Sequence, residues 1–114
     1  MRANLVYYRT AERPDIKLWL EDDDGTLINF ASGYTFAFKL GSPGSAATFT
    51  KSTGITGAAG AGTEPTGTPN VTLTFTAAEL DSLTAGLTTW QLRATNSSLD
   101  RVYQGTFQLR DVIT

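Results

Sequence analysis

The sequence contains neither cysteine nor histidine. Without cysteine there is no disulfide framework and no thiol nucleophile. Without histidine the commonest general base is missing, together with a preferred zinc ligand. What remains for site chemistry is an oxygen-only metal site or a pair of carboxylates. Charge is sparse as well. Nine Lys or Arg and eleven Asp or Glu make up 18% of 114 residues and leave a formal net charge of −2. No basic stripe is present, so duplex nucleic acid is not expected as a partner. No apolar run approaches the length of a bilayer span, so neither is a membrane. Met1–Tyr8 lacks the apolar core and small-residue cleavage site of a secretory signal. A start at Met1 favours an intact chain over an excised domain.

What is present is strand pattern. The clearest case is the pair Thr88–Thr95 and Arg101–Arg110. In the first run Trp90, Leu92 and Ala94 alternate with Gln91, Arg93 and Thr95. In the second, Tyr103, Gly105, Phe107 and Leu109 alternate with Gln104, Thr106, Gln108 and Arg110. Successive strand side chains point to opposite faces, so each run has one apolar and one polar face. Asn96–Asp100 between them is rich in residues that bond their own backbone, which predicts a hairpin turn. Such a sheet needs a second layer to cover its apolar face.

The rest of the chain supplies candidates. Leu5–Arg9 reads as a strand near a sheet edge, broken by Pro14, which has no donor for a ladder. In Asp15–Glu21 the residues Ile16, Leu18 and Leu20 form the better core face, with Lys17, Trp19 and Glu21 on the other. Asp22-Asp23-Asp24-Gly25 reads as a tight turn rather than a calcium loop, whose alternating acids and closing Glu are missing. Thr26–Phe30 is a further short run. Tyr34, Phe36, Phe38 and Leu40 alternate with Thr35, Ala37 and Lys39, the strongest strand signal of the N-terminal half. Ala47–Lys51 predicts a short strand around Phe49. Val71, Leu73 and Phe75 alternate with Thr72, Thr74 and Thr76. Thr76-Ala77-Ala78-Glu79 then has the spacing of a capping box and predicts a helical turn or two over Ala77–Leu83.

Gly41–Asn70 has a different texture. It holds seven of the eleven glycines and three of the four prolines, with only Lys51 and Glu64 charged. Gly57–Gly62 is no phosphate loop, because no Gly-Lys-Ser/Thr and no helix follow it. Ser52–Asn70 builds no ordinary element on this composition, and a flexible hairpin tip is expected there.

Eight candidate strands, short turns and one short helix predict a single domain over residues 1–114. The expected class is all-β: an antiparallel immunoglobulin-like β-sandwich with one short helix, a small β-barrel being the alternative. Crossover helices for a parallel sheet are missing, and so is the Cys…Trp…Cys signature of antibody-type domains.

The order of these features resembles the immunoglobulin-like N-terminal domain of phage and prophage baseplate upper proteins. The residues carrying the resemblance run from the apolar first strand and the Pro14 break to Asp24-Gly25-Thr26. They continue through Gly33-Tyr34-Thr35-Phe36, a variable loop, Phe75-Thr76-Ala77-Ala78-Glu79 and Trp90-Gln91-Leu92-Arg93. Family members often carry Gly-Asp before the break, where this chain has Ala11-Glu12-Arg13-Pro14. The resemblance implies a non-enzymatic structural domain of a virion tail or baseplate, made in the bacterial host cytoplasm. Its implied partners are other tail proteins, with self-association as a second expectation. Cofactor, catalytic and metal residues are expected to be none.

Two other classes are weighed beside this. An enzyme lacks support, since general acid–base work needs a protected pair of groups and the acids here sit in a solvated turn. A carbohydrate-binding or adhesin module is the main alternative, using exposed aromatics among Tyr7, Tyr8, Trp19 and Tyr103. Under either binding reading Trp19, flanked by Lys17 and Glu21, is the candidate partner contact; strand-face packing is the plainer reading. The threonines Thr72, Thr74, Thr76, Thr88, Thr89, Thr95 and Thr106 predict strand faces that are polar yet weakly charged, in keeping with their β-propensity.

Overall fold

Eight strands and one helix are present in the computed structural model, which describes residues 4–112. They are β1 (Asn4–Arg9), β2 (Ile16–Leu18), β3 (Thr35–Gly41), β4 (Phe49–Lys51), β5 (Ile55–Gly57), β6 (Val71–Leu73), α1 (Ala77–Asp81), β7 (Gly86–Thr95) and β8 (Asp100–Asp111). A five-stranded sheet in the order β1-β8-β7-β3-β4 packs on a three-stranded sheet in the order β2-β6-β5. This is an all-β sandwich of immunoglobulin type: β8-β7-β3-β4 occupies the G-F-C-C′ positions and β2-β6-β5 the B-E-D positions.

The hairpin expected at the C-terminal end is the spine of the large sheet. β7 and β8 pair antiparallel from Gly86↔Leu109 to Thr95↔Asp100. Asn96 closes the turn: its side-chain oxygen accepts from Ser98 N–H at 2.9 Å and Leu99 N–H at 2.7 Å. Trp90 faces inward and is fully buried. It stands opposite Gly105 on one side and Leu40 on the other, so the missing side chain at Gly105 leaves room for the indole. Phe38 is the aromatic hub, with ring centroids 6.5 Å from Trp90, 6.4 Å from Phe107 and 6.3 Å from Phe75.

One pairing is not antiparallel. β1 runs parallel to β8, from Asn4↔Thr106 to Arg9↔Asp111. After β1 the chain crosses directly to the other sheet to form β2, so no hairpin forces the first and last strands to oppose each other.

α1 carries the predicted capping box. Glu79 N–H donates to Thr76 Oγ1 at 3.2 Å, and Thr76 N–H donates to the Glu79 carboxylate at 2.9 Å. The helix stops at Asp81, two residues short of the expected end. Leu80 is buried and Leu83 packs against the core. Beside it lies Lys51, whose side chain is only 2% exposed. Its ammonium donates to Thr53 O at 2.6 Å and Thr74 O at 2.7 Å, and lies 3.3 Å from Glu79. It also sits 5.2 Å from the Phe75 ring centroid. One lysine at the end of β4 thus ties the large sheet to the chain leaving β6 and to the first turn of α1.

Three expectations are corrected here. Thr26–Phe30 is not a strand; it touches Glu21 through a single bridge at Leu27, and Phe30 fills the core instead. The eighth strand is β5, inside the 52–70 segment expected to build no element. It pairs with β6 through Ile55↔Leu73, Thr56↔Thr72 and Gly57↔Val71. The glycines of this segment serve close packing. A Cβ on Gly57 would lie 2.1 Å from the carbonyl oxygen of Phe30, and one on Gly60, at φ +72°, would lie 2.8 Å from Cβ of Asn70.

The third correction concerns Leu18–Leu20, where alternation gives way to three consecutive buried residues. β2 ends at Leu18, opposite Val71. Continuing the ladder would set Leu20 against Pro69, which has no N–H to give. Asn70 supplies the substitute. Its side-chain amide donates to Leu20 O at 2.7 Å and Ile28 O at 2.9 Å, and its oxygen accepts from Leu20 N–H at 2.8 Å. Its backbone bonds Leu18 O and Ala58 N–H.

Two outcomes follow for stability. Asn70→Ala removes three hydrogen bonds and strips Leu20 N–H and Ile28 O of these partners, while Leu20 O keeps only a bond from Ile28 N–H at 3.2 Å. It should lower unfolding free energy by about 3 kcal/mol in urea titrations. For Glu79, desolvation opposes ionisation, but the Thr76 N–H and the Lys51 ammonium outweigh it and hold the carboxyl below its ordinary range. A depressed folded pKa contributes stability above the unfolded value of about 4.3 and loses it as pH falls through the folded value. Glu79→Gln should therefore destabilise at neutral pH, and its gap to the wild type should narrow on titration towards pH about 3.

Candidate functional site

The residues singled out from sequence do not form a contact patch. Lys17 is exposed in the middle of β2, opposite Thr72. Trp19 is 6% exposed, and its indole nitrogen is buried without a hydrogen-bond partner. Glu21 is half-buried and bridges to Leu27. Trp19 and Glu21 border one hollow with Gly25, Leu27, Gly62 and Glu64, and Lys17 is not part of it. The strict alternation assumed across Asp15–Glu21 put Trp19 on an outer face. The break in the ladder at Leu18 places it inside.

The three aspartates make a turn, as expected. Asp22 N–H donates to Thr26 O at 3.0 Å, Gly25 N–H donates to Asp22 O at 3.1 Å, and Gly25 has φ +87°. Asp22 and Asp24 carboxylates accept from Thr26 N–H at 3.1 and 3.0 Å. The side-chain contact with Asp22 and the bonds accepted from Thr26 hold the Asp24 carboxyl below its usual range. Among the described residues, no three His, Cys, Asp or Glu are placed to hold a metal ion.

The outer face of the five-stranded sheet is a continuous surface open to a partner. The registers assemble it in rows across the strands: Val6, Gln108 and Leu87; Asn4, Thr106 and Thr89; Gln104, Gln91 and Lys39; Val102, Arg93 and Ala37. Much of it is threonine and glutamine, interrupted by exposed Val6, Tyr8, Leu87 and Val102. Its arginines are engaged within the sheet. Arg93 donates to Asp100 through Nε at 2.8 Å, and this bond holds the Asp100 carboxyl low. Arg110 donates to Tyr8 Oη at 2.9 Å and to Gln108 at 3.0 Å, with its guanidinium 5.7 Å from the Tyr8 ring centroid.

Of the threonines expected on outer faces, Thr89, Thr95 and Thr106 lie on this one. Thr72 sits on the outside of the small sheet, between Lys17 and Thr56. Thr88 does not belong with them. It shares the inward parity of Trp90, and its hydroxyl donates to Gly41 O at 3.0 Å. Thr76 is spent on the helix cap. Val6 and Tyr8 were legible only as members of an apolar and aromatic run near a sheet edge, and nothing in that run says which face a second sheet will cover.

Trp19 gives the check on this geometry. In a Trp90→Phe background the remaining indole should emit at short wavelength, resist quenching by acrylamide, and stay unchanged when soluble sugars are added. A long-wavelength, readily quenched spectrum would return Trp19 to the surface. Compared with known protein families, curated proteins and solved structures, the chain matches none.

Proposed function

We propose that the chain is a non-enzymatic structural domain of a phage or prophage virion tail or baseplate, working by protein–protein assembly. The observation that carries the assembly reading is the outer face of the five-stranded sheet. It is broad and polar without being strongly charged, and its arginines are already paired inside the sheet. Such a face loses little on desolvation against another protein, and the aromatic and arginine pair Tyr8–Arg110 is of the kind that anchors interfaces. The tail assignment rests on the resemblance in the order of strands and turns. The absence of histidine, cysteine and any nucleophile–base spacing supports a role without catalysis.

The glycan-binding alternative loses its main platform, because a sugar ring stacks on an exposed aromatic face and Trp19 is buried.

The test is to mix the purified domain with tail proteins encoded beside it and measure mass in solution at low and high salt. A stable complex that changes little with salt is expected, since no large single-sign field is present. A domain that ignores every tail protein and binds a host glycan would replace this reading with the adhesin one.

A further inference from the structure

The two sheets have four edge strands: β1 and β4 in one, β2 and β5 in the other. An unpaired edge is a template for another strand, and proteins blunt such edges by shortness, proline, charge or cover. Three of the four are blunted. β2, β4 and β5 are three residues each, and β5 is also met at its end by Phe30, whose N–H donates to Ala58 O at 2.9 Å.

β1 is different. It runs for six residues without proline or glycine, and its one charge, Arg9, follows the inward parity of Leu5 and Tyr7 at the very end of the strand. Pro14, a candidate for blunting an edge, lies beyond it in the crossing to β2 and belongs to no strand. An open cleft runs beside four successive residues, Leu5 to Tyr8, with Pro14 and Ile16 on its far side. The Arg9 charge is taken up within the molecule, between Asp111 of β8 and the carbonyls at the end of α1. Its guanidinium donates to the two Asp111 oxygens at 2.7 and 2.9 Å and to Leu80 O and Leu83 O at 2.7 Å. Next to the edge, on the outer face, Val6 and Tyr8 are each about half exposed, at 48% and 49%.

We infer that the free edge of β1 is a docking site for β1 of a second copy of this chain, paired antiparallel about a two-fold axis. This rests on the assembly reading and names one of its contacts. Two properties select a second copy over a foreign peptide. An added strand projects every other side chain inward, past the end of the three-stranded sheet. On a peptide those side chains would hang uncovered, whereas in a second copy Leu5 and Tyr7 are already buried in their own core. Within β1 the one charge, Arg9, is paired with Asp111, so the strand itself meets its own image without repulsion, and Asp15 borders the same cleft from the far side. An axis through Tyr7 places Val6 of each copy opposite Tyr8 of the other on the outer face, covering both half-exposed apolar side chains. A two-fold pair consumes both β1 edges and closes on itself. Six residues of strand pairing bury less than a standard interface of about 1,600 Å², so the dimer is weak and reversible.

The experiment is sedimentation of the full chain from about 10 µM to about 1 mM, a range suited to a small interface. Wild type, Val6→Lys and Val102→Lys are compared, each checked for its fold by circular dichroism. Val6 and Val102 lie on the same outer face, so both lysines are tolerated by the monomer, but only Val6 borders the β1 edge. Concentration-dependent dimer is expected for the wild type and Val102→Lys, with association about tenfold or more weaker for Val6→Lys. Amide shifts that change with concentration should be confined to residues 4–10. A single monomer mass for the wild type throughout overturns the inference, and so does a dimer weakened by Val102→Lys and not by Val6→Lys. A wild-type monomer whose complex with a tail protein is lost in Val6→Lys also overturns it, because the edge then serves another protein. If tail-protein binding survives Val6→Lys and no dimer forms, assembly stands and the edge pairing fails. If the dimer behaves as expected and no tail protein binds, the edge pairing stands and the tail reading fails.

Discussion

The carboxamide of Asn70 holds together the region of the molecule that has the least regular backbone. The chain before β6 arrives through Pro69, which cannot donate to its neighbour. The chain after β2 leaves its ladder at Leu18. Between them the backbone groups of Leu20 and Ile28 need partners away from water, and an unmade bond there is costly. Asn70 answers with two donors and an acceptor on one planar group, standing in for the backbone groups a strand would have offered. With its own backbone bonded to Leu18 and Ala58, this residue ties three other stretches of chain to its own. The position of Trp19, the course of the 20–30 segment and the approach of Gly60 all follow from it.

Regular elements were legible because each depends on neighbours close in sequence. The β7–β8 hairpin shows itself in alternation and in the bonding capacity of Asn96. β3 shows itself in four aromatic or aliphatic residues at every second position, and α1 in Thr76 and Glu79 three apart. What was not legible depends on contacts across the fold. Gly57 and Gly60 look like freedom when only composition is considered, yet each is glycine because another segment passes within contact of its Cα. Trp19 has the right parity for an outer face only if the ladder continues past Leu18, and whether it continues is decided by Pro69 and Asn70, far along the chain. The parallel pairing of β1 with β8 is hidden for the same reason, since no turn connects the two.

The same division explains the candidate interface. Sequence showed that strand faces would be rich in threonine and poor in charge, but not that Arg93 would bond Asp100 and that Arg110 would lie along Tyr8. These pairings make the large sheet's outer face quieter electrostatically than its composition suggests. The few half-exposed apolar side chains, Val6, Tyr8, Leu87 and Val102, are then the features that stand out from it. Lys51 has a different role, being buried and committed to carbonyls and Glu79. It holds the two layers in fixed relation behind that face.

The parallel pairing of β1 with β8 also bears on how the domain carries load. Asn4 and Asp111 mark opposite ends of the same six-pair ladder. Tension applied between those two points runs along the strands and stretches all the cross-strand bonds together, in shear. An antiparallel terminal hairpin pulled from its open end would instead break bond after bond, like a zip. Strand direction therefore decides how such a pull is met, with the whole ladder sharing the load at once.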